Sequence, residues 1–237
     1  VLGHTTVTNT GNTTMPGDLG VSIGGAPVGF PPGIVGPPGT IRNAADSLAA
    51  QNDNTAAFGF IDQTCDTTYV GTKDLVAENL VAGVYCADAF TLTGTLTLNG
   101  TGVWIFKSAS TLITSGTANV VGGDPCNVWW RDVSSATLGT NTSLTGNVLS
   151  STSVSLQTGA ALNGRAFAQT GAVTLDANVI TGAACLGTST VTNSVVPGLP
   201  NAGYEPSNPT TFMNFALPIA IVASSAILYF IRKKRTA

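Results

Sequence analysis

Small apolar and small polar residues alternate along much of the chain, and Gly interrupts the alternation every few residues. A period of two is typical of β-strands that bury one side. The pattern also recurs in longer units, because LTG at 144–146, LNG at 162–164 and ITG at 180–182 are 18 residues apart. A Gly-punctuated period of about 18 to 25 residues indicates a β-solenoid, in which each coil stacks on the next.

One strand of each unit is apolar at successive positions, which predicts that both of its sides are covered. It reads VWIFK at 103–107, VWWRD at 128–132, NVLSS at 147–151 and RAFAQ at 165–169. One side faces the core, and the outer side requires a cover. We place on that outer side the large residues Trp104, Trp129, Leu149 and Phe167.

The cover is predicted to be a helix at 41–62, IRNAADSLAAQNDNTAAFGFID, the one long helical pattern before the C-terminal segment. Five residues of this segment fall on one side at spacings near 3.6. We expect this side to pack on the solenoid; it comprises Ala45, Leu48, Ala49, Ala56 and Phe60.

The next strand of each unit predicts a flat face of short side chains. It reads SATLG at 135–139, SVSLQ at 153–157 and AVTLD at 172–176, with Leu, Val and Ala pointing inward. The outward residues are then Ser135, Thr137, Ser153, Ser155, Ala172 and Thr174, and earlier coils add Thr91, Thr93 and Thr111. The third strand offers a rival face with Ser143, Thr145, Ala161, Asn163, Val179 and Thr181.

A flat array of this kind has no concavity for a small molecule and no charge for an ionic partner. Thr is nearly fixed at χ1, so a row of Thr on a solenoid is ordered before it meets a partner. Such a face suits docking on a regular lattice such as ice. Thr is also simply a good strand former, so these columns alone leave an ordinary exposed face as the alternative.

Charge and chemistry exclude several classes of function. Only 9% of residues are charged, and residues 1–211 lack the basic stripe that nucleic-acid binding requires. His4 is the single histidine, so we predict no metal site and no cofactor. Arg131 and Asp132 are adjacent, hence on opposite sides of a strand, and no paired carboxylates or nucleophile–base set appear. We therefore predict that the protein is not an enzyme.

Four cysteines, Cys65, Cys86, Cys126 and Cys185, fit an oxidising compartment. Four cysteines allow three pairings. The pair Cys65–Cys86 closes the shortest loop and is our first prediction, which leaves Cys126 to pair with Cys185.

The C-terminal segment predicts a membrane anchor. Residues 212–231, FMNFALPIAIVASSAILYFI, contain no charge, and twenty helical residues measure about 30 Å, the thickness of a bilayer core. The basic run RKKR follows within the tail 232–237, and basic residues mark the cytoplasmic side. The domain at 1–190 is then extracellular, and any signal peptide precedes the sequence.

The linker at 191–211 contains LPNAG, formed by Leu199, Pro200, Asn201, Ala202 and Gly203. With the apolar span and the basic tail, it resembles a cell-wall sorting signal of the LPxTG type, which would make a sortase a partner. Members of that class normally carry Thr where this chain has Ala202, so an uncleaved spacer remains the alternative.

Several stretches resemble the microbial ice-binding proteins with a discontinuous β-solenoid and one flanking helix. They include VTNTGNTTMPGDLGVS at 7–22, NAADSLAAQ at 43–51, LTGTLTLNG at 92–100 and, most specifically, NGRAFAQTGAVTLD at 163–176. The resemblance covers roughly residues 5–182. It implies a right-handed, triangular solenoid whose N-terminal strands pack beside the C-terminal coils.

The resemblance also implies an ice-binding face on the side after the helix-covered one, where Thr6 and Thr8 would join the strand column described above. The expected function is that of a cell-surface protein whose partners are ice and a membrane, with ice adhesion, recrystallisation inhibition or modest thermal hysteresis. The alternative is a non-catalytic adhesin for glycans or other cells, for which Tyr69, Tyr85 and Tyr204 are the candidate stacking residues.

Overall fold

The computed structural model describes residues 1–182 and residue 185. This part of the chain consists mainly of short parallel strands. The N-terminal strands are β1 (Leu2–Gly3), β2 (Thr6–Thr10), β3 (Thr14–Met15), β4 (Gly20–Val21) and β5 (Ile34–Val35). Helix α1 (Ala44–Phe60) follows. The later strands are β6 (Thr67–Thr68), β7 (Thr72–Asp74), β8 (Asn79–Leu80), β9 (Gly83–Ala87), β10 (Ala89–Leu92), β11 (Thr95–Leu98), β12 (Trp104–Ser108), β13 (Leu112–Thr114), β14 (Asn119–Gly122), β15 (Val128–Asp132), β16 (Ala136–Leu138), β17 (Ser143–Thr145), β18 (Asn147–Ser150), β19 (Val154–Leu156), β20 (Ala161–Asn163), β21 (Ala166–Ala168), β22 (Ala172–Asp176) and β23 (Val179–Ile180).

These strands form three parallel sheets around one core, which confirms the prediction of a β-solenoid with a single flanking helix. Sheet A has the order β4-β1-β21-β18-β15-β12-β9-β6, sheet B the order β2-β22-β19-β16-β13-β10-β7, and sheet C the order β5-β3-β23-β20-β17-β14-β11-β8. Each coil passes through A, then B, then C, and adds one strand to every sheet; the exception is the coil of β4 and β5, which adds no strand to sheet B.

The solenoid is discontinuous in sequence, because the N-terminal strands stack on the last coil rather than on the first. Leu2 pairs with Phe167 in sheet A, and Val7 pairs with Val173 in sheet B. The chain then crosses the outside of the molecule as α1 and starts a new coil at β6. The two ends of the described chain therefore meet within the same sheets.

Inward side chains from all three sheets fill the solenoid. The core contains a stack of aromatic rings, in which Phe106 lies 5.5 Å from Tyr85 and 4.2 Å from Trp130 between ring centroids. Burial of this apolar surface, which each strand supplies at alternate positions, holds the coils together.

Trp104 belongs to this core, which corrects the prediction that it lies on the outer side of sheet A. It is 1% exposed and its Nε1 donates to the carbonyl oxygen of Leu80 at 3.2 Å. Trp104 pairs with Val128, and Ile105 pairs with Trp129. The strand is therefore shifted by one residue from our alignment, and such a shift exchanges the two sides of a strand.

Helix α1 covers the outer side of sheet A, as predicted, but it uses a different side of the helix. The predicted residues Ala45, Leu48, Ala49, Ala56 and Phe60 are exposed, whereas the buried ones are Ser47, Ala50, Gln51, Asn54 and Ala57. These short or polar residues let the helix approach the sheet closely. The Gln51 amide also donates to the carbonyl oxygens of Ala168 and Gln169.

The ends of the helix have local causes. Asn43 caps its N-terminus, because its side-chain oxygen accepts a hydrogen bond from the backbone N–H of Asp46 at 2.9 Å. Beyond the C-terminus, Asp62 forms ion pairs with Lys107 at 2.7 Å and Arg131 at 3.1 Å, which fasten the helix end to sheet A. The predicted bounds of 41–62 were thus too wide by a few residues at each end.

The predicted disulfides are confirmed. Cys65 bonds to Cys86, and Cys126 bonds to Cys185.

Glycines shape the edge where sheet C leads into sheet A. A Cβ on Gly164 would lie 1.9 Å from the carbonyl oxygen of Gly146, so the recurring Gly of the LTG and LNG segments is required by close backbone contact.

In the described part of the chain, no helix has both the length and the apolar character needed to cross a bilayer. The linker 191–211 with LPNAG, the segment 212–231 and the tail 232–237 all lie outside the described residues.

Candidate functional site

Sheet B presents two ranks of outward side chains that run along the solenoid. The middle rank follows the strand register from one coil to the next, and it comprises Thr8, Thr174, Ser155, Thr137, Ile113, Thr91 and Asp74. Each residue of the first rank precedes the middle-rank residue of its coil by two positions, at the start of the strand or immediately before it. This rank comprises Thr6, Ala172, Ser153, Ser135, Thr111, Ala89 and Thr72. We call these two ranks together face B.

The backbone beneath face B is held from the inside. In the six uncharged rungs, the residues between the two ranks point into the core and are at most 1% exposed; they are Val7, Val173, Val154, Ala136, Leu112 and Phe90. Parallel strands lie about 4.8 Å apart, and alternate residues of one strand lie about 6.6 Å apart. Face B is therefore a two-dimensional grid whose spacing is fixed by the sheet.

Hydroxyl groups in the first rank are also held in place. The Ser153 Oγ accepts a hydrogen bond from the backbone N–H of Ala172 at 3.2 Å. The Ser135 Oγ accepts one from the backbone N–H of Ser153 at 3.3 Å. Each serine thus bridges to the next coil, so the hydroxyls repeat with the rungs instead of rotating freely.

The grid becomes charged at one end. Asp74 occupies the middle rank on the last rung, and its Oδ2 accepts a hydrogen bond from Thr93 Oγ1 at 2.6 Å. At the other end, Asp176 lies beside Thr10 at the margin of the sheet and accepts a hydrogen bond from Thr158. Six consecutive rungs, from β2 to β10, carry only uncharged side chains in both ranks.

The structure brings the predicted residues together with one exception. Thr6, Thr8, Thr91, Thr111, Ser135, Thr137, Ser153, Ser155, Ala172 and Thr174 all lie in the two ranks. Thr93 follows β10 and lies outside both ranks, where its backbone N–H and its hydroxyl donate hydrogen bonds to the Asp74 carboxylate. Whether these residues bind a partner stays a prediction at this point.

Two members of the six uncharged rungs were missed. Ile113 is 46% exposed in the middle rank, between Thr137 and Thr91, and Ala89 pairs with Thr72 in the first rank. A large apolar residue is normally assigned to the core, which is why Ile113 was overlooked. Its position next to the inward Leu112 was the signal that placed it outside.

The rival face on sheet C is less regular. Its outward residues include the predicted Ser143, Thr145, Ala161, Asn163, Val179 and Thr181, together with Ile34 and Val121. Ile34 and Val179 are more than half exposed. A depression of about 240 Å³ lies among Thr14, Ile34, Val179 and Thr181. Sheet C therefore carries several exposed bulky residues, whereas Ile113 is the one bulky residue in the six uncharged rungs of face B.

The candidate glycan-stacking residues are occupied by packing. The Tyr85 ring is 6% exposed, stacks on Phe106, and its hydroxyl donates to the carbonyl oxygen of Val81 at 2.7 Å. The Tyr69 ring packs edge-on against Phe90, at 6.5 Å between centroids. Tyr204 lies outside the described residues. Tyr85 therefore offers no open ring face to a sugar, and Lys73 Nζ lies over the half-buried Tyr69 ring, 4.9 Å from its centroid.

The family model described as "Ice-binding-like" matches residues 1–181, which is the whole solenoid except its final crosslink. The chain belongs to the ice-binding-like family. This confirms the resemblance that the NGRAFAQTGAVTLD block indicated.

Relatives and solved structures of this family agree with the assignment. An ice-binding protein of Nostoc sp. (strain HG1) is 42% identical over an alignment of 193 residues that covers 77% of this chain and 71% of the relative. The crystal structure of an ice-binding protein from the ascomycete Antarctomyces psychrotrophicus is 35% identical, with a TM-score of 0.69 over 78% of this chain and 94% of that one. An ice-binding protein from an Antarctic biological consortium gives 34% identity and a TM-score of 0.70, over 76% of this chain and 86% of that one.

Proposed function

We propose that this protein adsorbs to ice through face B. The observation that carries the proposal is the six-rung grid from β2 to β10. Every outward side chain in its two ranks is uncharged, and each is either short or β-branched. The ice-binding-like family supports ice as the partner, and the regular geometry of sheet B favours this face over sheet C.

Adsorption to a lattice needs many weak contacts at little entropic cost. The Thr and Ile side chains of the middle rank are β-branched and restricted at χ1, so they lose little freedom on binding. Their methyl groups and hydroxyls can order neighbouring water in a pattern that matches the grid. Because the six rungs lack charge, no ionic group loses its hydration when liquid water is replaced by ice.

The resulting activity is non-catalytic. Adsorbed protein blocks growth of the covered crystal surface, which produces ice adhesion, recrystallisation inhibition or modest thermal hysteresis. Because Tyr85 is buried and Lys73 lies over the half-buried Tyr69 ring, these two tyrosines do not support the glycan-adhesin alternative, and ice adsorption remains the function we propose.

The first test is partition into ice. The full chain, kept in solution by a mild detergent, is frozen slowly around a seeded crystal, and its concentrations in ice and liquid are compared. An unrelated protein of similar size in the same detergent gives the exclusion level. We expect enrichment in ice together with a gap between melting and freezing points. Exclusion from ice by a folded sample would refute the proposal.

We further propose that the chain is held on the outer face of the cell. The apolar run 212–231 and the basic tail 232–237 support a membrane span with its C-terminus inside. Fractionation of producing cells should place the protein in the membrane, and protease added outside should digest the domain. Recovery in the soluble fraction would contradict the anchor.

A sortase would change the anchor from lipid to cell wall. LPNAG lies upstream of the apolar run, as a sorting signal does. Mass spectrometry of the mature C-terminus distinguishes the two anchors. Cleavage before Gly203 removes the span, whereas an uncleaved chain keeps the span as its anchor. Ala202→Thr, which restores the usual residue, should increase cleavage if a sortase acts here.

A further inference from the structure

The last described strand, β23, is poorly suited to resist a pulling force because it is short. Strand β23 has two residues and lies between β20 and β3. Its hydrogen bonds to the preceding coil include Thr181 N–H to Leu162 O at 2.9 Å and a long one from Val179 N–H to Ala160 O at 3.4 Å. Because β23 also pairs with Thr14, its detachment would expose the junction between the two ends of the solenoid.

The second disulfide joins the chain after β23 to a different part of the molecule. Cys126 lies between β14 in sheet C and β15 in sheet A, and Cys185 is bonded to it across 59 residues of sequence. Strand β15 has register partners on both sides, five on β12 and four on β18. The crosslink therefore reaches the middle of sheet A, where the strand is held along its length.

Polar contacts attach the Cys126 loop to the coils above it. The Asn147 amide is fully buried and donates to the carbonyl oxygens of Pro125 at 3.0 Å and Val128 at 3.3 Å. The Arg165 guanidinium donates to the Asn147 Oδ1 at 3.1 Å and contacts the Cys185 Sγ at 3.3 Å. Three coils thus support the disulfide at one edge of the solenoid.

That edge is the one farthest from face B. Each coil runs from sheet A through B to C, so the connection from C back to A is the edge of the three-sided solenoid that sheet B does not touch. Tension applied at Cys185 therefore enters the solenoid at the edge opposite face B.

We propose that the Cys126–Cys185 disulfide is the mechanical attachment point of the domain. Through it, tension in the chain after Cys185 acts on β15, at the edge opposite face B, instead of on β23. The need for such a device rests on the proposed function, since a protein that joins a cell to ice is pulled between face B and its C-terminal end.

Force spectroscopy tests the proposal on the full chain. One handle is an azide-bearing residue in place of Thr91 on face B, which precedes Cys126 in the chain, and the other is the C-terminus. At constant force, a thiol reductant is added. Its thiolate attacks one sulfur, forms a mixed disulfide and releases the other cysteine as a thiolate. If the disulfide carries the tension, the reduction rate rises several-fold with force, and each reduction is followed by stepwise lengthening.

Two matched variants separate this role from general stabilisation. Cys126→Ser/Cys185→Ser should show an early rupture at lower force, and its full unfolding should be longer by about 21 nm because 59 residues are no longer closed in a loop. Cys65→Ser/Cys86→Ser removes a disulfide outside this path and should keep the first rupture force of the native chain. Both variants should adsorb to ice in solution as the native chain does.

Three results would overturn the proposal: a reduction rate that does not depend on force, an unchanged first rupture in Cys126→Ser/Cys185→Ser, or loss of ice adsorption by that variant while the native chain adsorbs. If that variant does not fold, the reduction rate of the native chain decides. Failure of the native chain to adsorb to ice would refute the proposed function and leave the pulling result standing.

Discussion

Thr8 on β2 and Thr174 on β22 are register partners in neighbouring parallel strands. They come from opposite ends of the described chain, and their side chains occupy adjacent rungs in the middle rank of face B. The N-terminal strand thus lengthens the candidate ice-binding face by one rung. Any variant that detaches β2 is expected to shorten the face as well as to destabilise the domain.

Substitutions on face B should abolish ice adsorption without unfolding the protein. A Tyr ring in place of Thr174 or Ser155 would stand above the grid and hold ice away from neighbouring rungs. We expect the partition ratio between ice and liquid to fall by about tenfold or more, equivalent to at least ~1.4 kcal/mol of adsorption free energy. Thermal hysteresis should fall in parallel. Circular dichroism should give an unchanged melting temperature, since both side chains point outward.

The matched controls are Thr145→Tyr and Thr181→Tyr on sheet C, where the same ring should leave adsorption intact. If these two variants lose activity and the face B variants retain it, ice binds on sheet C and our choice of face is wrong.

Stability should depend on pH through Asp132. Burial raises the pKa of this carboxyl to about 7, although hydrogen bonds from the hydroxyls of Ser108 and Ser150 act in the opposite direction. The folded protein therefore favours the protonated acid. Its contribution is fully present below about pH 4 and is lost as the pH rises through about 7, by up to about 4 kcal/mol.

Urea unfolding from pH 4 to pH 8 measures this loss. Asp132→Asn should flatten the curve and be more stable than the native chain at pH 8. Ser108→Ala removes a hydrogen bond that favours the charged form, so it should move the transition to higher pH. An Asp132→Asn curve with the native slope would show that another group titrates.

The end of the helix should depend more on Arg131 than on Asp62. The Arg131 Nε donates to the carbonyl oxygen of Phe58 at 3.0 Å, and its guanidinium lies 4.1 Å from the Phe58 ring centroid. Arg131→Met should lower the free energy of unfolding by about 1–2 kcal/mol. Asp62→Asn should cost less than about 1 kcal/mol, because the Asp62 side chain is 50% exposed and solvent screens its ion pairs.

A double-mutant cycle in urea checks the comparison. Equal losses for the two single variants would show that the ion pair, rather than the contacts of Arg131 with Phe58, holds the helix end.

Asn54→Ala should stabilise the domain. Asn54 is fully buried under the helix, and neither polar atom of its side chain has a hydrogen-bond partner among the described residues. Removal of an unpaired buried amide and the higher helix propensity of Ala together favour the variant by about 1 kcal/mol. Thermal unfolding measures the shift.

The control for this variant is Ser47→Ala on the same side of the helix. The Ser47 hydroxyl donates to the carbonyl oxygen of Asn43 at 2.8 Å, so its loss should lower the melting temperature. A lower melting temperature for Asn54→Ala as well would mean that the Asn54 amide is paired in solution.

Local patterns predicted the solenoid and most of the candidate site. Strand alternation shows which residues share a side, and the 18-residue repeat aligns one coil with the next. Ser135, Ser153 and Thr174 could therefore be placed on one face from the sequence alone. The disulfide pairing followed from loop length, because partners close in sequence meet most easily.

The helix surface was decided only by the tertiary structure. The α1 segment has small or polar residues on every side, so the apolar spacing of Ala45 and Leu48 did not identify the buried side. The sheet beneath selects Ser47 and Ala50 because short side chains allow close approach. It selects Gln51 because the side-chain amide donates to the carbonyl groups at the end of strand β21.

Strand register and chain closure likewise required three dimensions. Trp104 was misplaced because a shift of one residue exchanges the two sides of a strand, and an apolar run such as VWIF contains no alternation that would reveal the shift. Alternation by itself determined that face B exists and which residue types it carries. Contact between distant segments decided its extent from Thr8 to Thr91, because such contacts depend on how whole sheets pack, not on local pattern.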